Sequence, residues 1–151
     1  MIEEKINELG FNLPEPPKPL AAYIPAILIG NLVITAGQIP IKDGRILFSG
    51  KVGKDLSEEE GRKAAEICAL NCLSAVKGVI GDLNKIEQVI KLTVYVNSAD
   101  GFTNQPGVAN GASELIERIF GKKGSHVRSA VGVNELPKNC AVEIEMIVKV
   151  K

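Results

Sequence analysis

Tryptophan is absent from this 151-residue chain, and the other aromatics amount to two Tyr and four Phe. Without aromatic platforms the bases of a single-stranded nucleic acid have nothing to stack on. Net charge is lacking too: 18 Lys plus Arg offset 18 Asp plus Glu, so the chain offers no broad electrostatic footprint to nucleic acid or an anionic membrane. A charged ligand must therefore be met by local groups. No apolar run approaches the ~20 residues of a spanning helix, and the acidic, proline-containing start has no signal-peptide core. These features lead us to expect a cytoplasmic protein. Cysteine is limited to three and histidine to one. An odd thiol count in a reducing compartment argues against a disulfide framework. Cys68 and Cys72 stand i, i+4 on a helical segment, but His126 is far along the chain and no soft-ligand cluster accompanies them. They read as small core residues, and neither a metal nor another cofactor is expected. Also missing are a phosphate loop, a nucleophile elbow and a zinc motif.

What is present is one domain's worth of alternating apolar segments. Residues 1–10 pattern as a short amphipathic helix (Ile2, Ile6, Leu9) ending at Gly10, and a proline-rich connector follows. Residues 1–20 thus form an N-terminal arm ahead of a single domain, 21–151. Apolar runs at 26–29 and 32–36 flank Gly30-Asn31 and predict a hairpin. Asp43-Gly44 marks a turn before a short strand at 45–48. Ser57 and Glu60 fit a capping box, opening a helix whose narrow face (Ala64, Ala65, Cys68, Cys72, Ala75, Val76) can press closely on a sheet and which stops at Gly81.

Residues 86–96 predict a central strand with Ile90, Leu92, Val94 and Val96 on its apolar face; Tyr95 lies on the opposite one. A second helix is predicted over 104–120, with Pro106 in its first turn and Gly107 and Gly111 each weakening its start by roughly 1 kcal/mol. Two strands, 126–133 and 141–150, close the chain, joined as a hairpin through residues 136–139. Two helices against a mainly β chain imply an α+β sandwich whose other sheet face the chain does not cover. Oligomerisation would supply that cover.

One residue stands out chemically. Arg128 sits mid-strand among apolar neighbours, with Ala130 and Gly132 following on the same face. A buried guanidinium is costly unless paired, and its planar fork suits a carboxylate. That carboxylate is either internal, from Glu143 or Glu145, or belongs to a ligand for which the small neighbours leave room. His126, two residues earlier, either points into the same cleft as an acid or base or is merely satisfied at a strand end.

The segments Arg128-Ser129-Ala130-Val131, Leu136-Pro137 and Val142-Glu143-Ile144-Glu145 resemble, in order and spacing, the C-terminal signature of the Rid (YjgF-like) family, also labelled L-PSP endoribonuclease. Tyr23, the stretch from Gly30 to Pro40, Val94-Tyr95-Val96 and Asn110 resemble earlier family segments, so the likeness covers residues 20–150. It implies a chorismate-mutase-like fold, a ferredoxin-like variant with a mixed sheet and two helices on one face, closing into a β-barrel in a homotrimer with ligand clefts between subunits. It further implies hydrolytic deamination of enamine or imine intermediates of 2-keto acids, such as 2-aminoacrylate and 2-iminopropanoate, to keto acid and ammonia. Carried onto this chain, Arg128 clamps the substrate carboxylate, Glu143 orients or deprotonates the attacking water, and Tyr23, Gly37, Asn110 and Ala130 line the cleft. Ala36 and Ala130 depart from the polar residues frequent in deaminating members. They favour, as an alternative, a non-catalytic trimer that binds small 2-keto acids. Ribonuclease activity finds little support in a charge-balanced, aromatic-poor chain with one histidine.

Overall fold

The computed structural model describes residues 1–19 and 22–151. Helix α1 (Ile2–Glu8) turns Ile6 fully into the core, and Ile2, Leu9, Phe11 and Leu13 pack around the same cluster. The boundary expected between arm and domain, at residues 20–21, lies outside the described residues.

Strands β1 (Ala26–Ile29) and β2 (Leu32–Thr35) form the expected antiparallel hairpin, with Gly30 at φ 60° supplying the left-handed turn. The next segment differs from expectation. Instead of one strand over 45–48, two-residue strands β3 (Ile41–Lys42) and β4 (Arg45–Ile46) pair with each other. Asp43 and Gly44, both at positive φ, make the tight turn, and Phe48 leaves the extended region at φ 60°.

Helix α2 (Glu58–Ile80) starts with the predicted reciprocal cap: Ser57 Oγ accepts from Glu60 N at 3.1 Å, and Glu60 Oε1 accepts from Ser57 N at 3.1 Å. Its small face, from Ala64 through Cys68 and Cys72 to Val76, is buried. Strand β5 (Ile86–Asn97), helix α3 (Gln105–Phe120), β6 (Val127–Val133) and β7 (Val142–Val150) complete the chain. The five-stranded sheet runs β1-β2-β7-β5-β6, with β5 and β6 parallel and its other pairs antiparallel. It is the mixed sheet, with α2 and α3 on one face, of the α+β expectation.

Two strand readings are corrected. The last two strands do not form a hairpin, because β5 lies between them. The α3 crossover sets β6 parallel beside β5, so the chain must cross β5 to reach the slot beside β2. It does so through a 3-10 turn (Pro137–Asn139), with Lys138 and Asn139 both at positive φ. In β5, Val89 rather than Ile90 belongs to the core. Register shifts against β7 between Ile86 and Gln88 and between Val89 and Lys91 are irregularities that reverse which alternate residues point inward.

The sheet face away from the helices is uncovered in this chain. Ile27, Ile29, Leu32, Ile34, Val127 and Val131 lie on it at 36–65% exposure, flanking a polar centre of Tyr95, Glu143 and Glu145. No helix among the described residues is long and apolar enough to cross a membrane.

Candidate functional site

The first turns of α3 build the surroundings of Arg128. Asn104 caps the helix, its Oδ1 accepting from Gly107 N at 3.3 Å, and Pro106 needs no donor there. Asn110 and Ser113, three residues apart, then share one helix face. Opposite them Arg128 extends from β6, on the helix-facing side that its pairing with Leu92 dictates. Its Nη1 donates to Asn110 Oδ1 at 2.8 Å and to Ser113 Oγ at 3.0 Å, and its Nη2 donates to the Pro106 carbonyl at 3.3 Å. Every partner is a neutral oxygen.

The internal ion pair considered for Arg128 is therefore absent. Glu143 and Glu145 alternate with the buried Val142, Ile144 and Met146 and so point to the opposite face of the sheet. Ala130 follows Arg128 on the helix side, half-buried.

His126 joins this cluster through a residue that the sequence did not single out. Its Nε2 lies 2.9 Å from Ser113 Oγ and its Nδ1 2.6 Å from the Gly124 carbonyl. Ser113 had one usable signal, its position three residues after Asn110. A second overlooked network lies at the far end of β5. Buried Asn97 donates to Asn139 Oδ1 at 3.2 Å and to the Cys140 carbonyl at 3.1 Å, and accepts from Lys51 Nζ at 3.0 Å. It pins the connection that crosses β5.

A second cluster, Tyr23, Gly37 and Glu143, lines a groove of about 1260 Å³. Tyr23 is 55% exposed just ahead of β1. Gly37 follows β2 where Gln38 bridges to Ile144. A Cβ at Gly37 would stand 2.5 Å from Glu143 Oε2, so only glycine lets this carboxyl lie against the backbone. Burial, and then the charge of Glu145, raise the Glu143 pKa above its ordinary 4.5. No described residue donates a hydrogen bond to it. On the same face Tyr95 donates to Glu145 Oε1 at 3.2 Å, its own pKa raised by burial and that neighbour.

Arg128, Asn110 and Ala130 are thus brought together, and so are Tyr23, Gly37 and Glu143, but the two groups stay apart: Arg128 and Glu143 point to opposite faces of the sheet, with β5 between β6 and β7. The thiols belong to neither. Cys68, Cys72 and Cys140 are free and buried, and burial pushes Cys72 up to about 12 and Cys140 to about 11. They are protonated at neutral pH and act as packing. No group of three or more His, Cys, Asp or Glu able to hold a metal occurs among the described residues.

Against known proteins, residues 3–149 match the family model described as "YjgF/chorismate mutase-like, putative endoribonuclease". Protein TCP17 of Trypanosoma cruzi is 39% identical over 98% of this chain and 93% of its own. A 2-iminobutanoate/2-iminopropanoate deaminase of Dermatophagoides farinae is 29% identical over 91% and 93%. Among solved structures, protein Atu1372 of Agrobacterium tumefaciens, of unknown function, superposes with a TM-score of 0.94 at 44% identity, covering 99% of this chain and 93% of that one.

Proposed function

The chain belongs to the YjgF/chorismate mutase-like family, and from that premise we propose that it hydrolyses small 2-imino acids to 2-keto acids and ammonia, in clefts where two copies of the chain meet. The observation that carries this reading is Arg128. Its guanidinium is held by three neutral oxygens and no carboxylate, which leaves its charge to be met by an anionic ligand. The uncovered sheet face supplies the reason for assembly: exposed Ile, Leu and Val on both flanks gain by being covered with further copies. In a homotrimer closed through these faces, Arg128 and Asn110 of one copy complete a cleft with Glu143, Gly37 and Tyr23 of the next.

The chemistry asked of such a cleft is modest, because an imine carbon is already electrophilic. Arg128 holds the substrate carboxylate through two parallel hydrogen bonds. Glu143, with its raised pKa, takes a proton from water as the water oxygen bonds to the imine carbon and the C=N pair moves to nitrogen. Returning that proton to nitrogen gives the carbinolamine, and Glu143 then relays the hydroxyl proton to the same nitrogen, so that the C–N bond breaks, ammonia leaves and the carbonyl forms. One water is consumed for each ammonia released.

The test is release of ammonia and keto acid when 2-aminoacrylate is generated in situ. The wild type accelerates release, and Arg128→Ala that still folds loses about 2–5 kcal/mol of transition-state binding, roughly 30- to 5000-fold in kcat/KM. An equal rate in both proteins contradicts the proposal.

Ala36 and Ala130 favour a second reading, a trimer that binds 2-keto acids without turnover. It predicts saturable stabilisation by pyruvate with imine decay at the uncatalysed rate. Ribonuclease chemistry gains nothing here, since both ring nitrogens of the single histidine are already engaged.

A further inference from the structure

Three residues of α3 meet the Arg128 guanidinium, and with the His126 ring neutral the hydrogen bonds of the cluster have one consistent set of directions. The Gly124 carbonyl can only accept, so at 2.6 Å the His126 Nδ1 must carry a proton. In the neutral ring Nε2 is then a lone pair, and the Ser113 hydroxyl, 2.9 Å away, donates to it. With its hydrogen committed, Ser113 Oγ turns lone pairs toward Arg128 Nη1 at 3.0 Å. Asn110 Oδ1 takes the second Nη1 hydrogen and Pro106 O takes one of the two on Nη2. With Pro106 taking the Nη2 hydrogen on the Nη1 side, the donors left over, Nε–H and the other Nη2–H, lie parallel along one edge of the guanidinium at the spacing of a carboxylate's oxygens.

Resting on the reading that Arg128 holds the ligand carboxylate, we propose that Ser113 and His126 are a positioning pair. They fix which edge of Arg128 is offered and so tighten carboxylate binding without touching the ligand. The ring of His126 serves as a one-way acceptor. Remove it and the Ser113 hydroxyl can rotate, placing its hydrogen where an acceptor is needed and freeing Arg128 to swing among orientations. The carboxylate is bound in substrate and transition state alike, so the loss falls on KM rather than kcat.

The experiment measures 2-oxobutanoate binding by calorimetry, and kcat and KM for in situ 2-iminobutanoate, on the full-length oligomer. Ser113→Ala and His126→Leu each weaken 2-oxobutanoate roughly 3- to 10-fold and raise KM similarly, with kcat within about twofold. The double variant is no worse than either single one, because both break the same chain. His126→Gln, which returns an acceptor near the Nε2 position, recovers most of the loss. In an Arg128→Ala background neither change has a further effect on binding.

If Arg128→Ala abolishes binding while Ser113→Ala and His126→Leu bind as the wild type does, the pair has no positioning role although the carboxylate site stands. A loss that His126→Gln does not recover also overturns the inference, because it would mark His126 as packing. If Arg128→Ala binds as well as the wild type, the site itself is misassigned and the positioning pair falls with it.

Discussion

Glu143 is a carboxyl whose surroundings favour its neutral form, and this has consequences for both rate and stability. Its folded pKa lies above the ordinary 4.5. The stability contribution of the protonated form is complete below that ordinary value and is lost as pH rises through the folded one. Glu143→Gln, shaped like the neutral acid, escapes that loss. The variant should melt on the order of 1–3 °C higher than the wild type at pH 7, with the gap closing toward pH 4. It should also lose about 10²- to 10⁴-fold in kcat/KM together with the acid limb of the wild-type pH profile, a limb lying above pH 4.5. Thermal melts and rate profiles across pH 4–8 check both signs. At this scale the sequence was informative about Arg128, because a charge among apolar strand residues needs an explanation. For Ser113 it offered only the spacing from Asn110, because the partners of this residue come from β6 and from His126 just ahead of it. It could not decide between an internal and an external partner for Arg128, since the choice depends on which sheet face Glu143 occupies.

Helix α3 shows how a locally unfavourable residue can be demanded by packing. Gly107 and Gly111 weaken the helix on propensity alone, yet a Cβ at Gly111 would run into the backbone carbonyl of Arg62 on α2. Glycine sets how closely the two helices approach, while Arg62 ties them by donating to the Gly107 carbonyl at 3.0 Å and to Glu114 at 2.8 Å. Gly111→Ala should therefore destabilise by about 1–3 kcal/mol despite its better helix propensity, lowering Tm by roughly 2–4 °C for each kcal/mol. A Tm at or above that of the wild type would show that the helices yield. The elements most legible in the sequence, α2 with its reciprocal cap and the first hairpin, are those fixed by local chemistry. The misread ones depend on tertiary choices. The irregular register in β5 reassigns Val89 and Ile90, and the insertion of β7 beside β2 turns an apparent hairpin into a crossing connection.

For the whole molecule, the two halves of the site and the uncovered sheet point the same way. Arg128 and Glu143 sit on opposite faces of the sheet, so one small ligand cannot touch both within a chain, and the apolar flanks of the open face call for neighbours. The sequence hinted at this through an α+β pattern with too few helices to cover a sheet, and the family likeness gave the closure a form. Which residues remain apart within one copy was visible only from the strand order.

The most direct test of this account mixes two inactive proteins. Arg128→Ala retains an intact Glu143 half, Glu143→Gln retains an intact Arg128 half, and neither alone should hydrolyse the imine appreciably. Co-expressed in equal amounts, they assemble randomly. In a three-fold ring about three quarters of the trimers are then mixed, and each holds one restored cleft in three, so about a quarter of wild-type activity should return. If the co-expressed trimers, shown to be mixed by differential tagging, stay as inactive as their parents, the two halves do not form one site across copies.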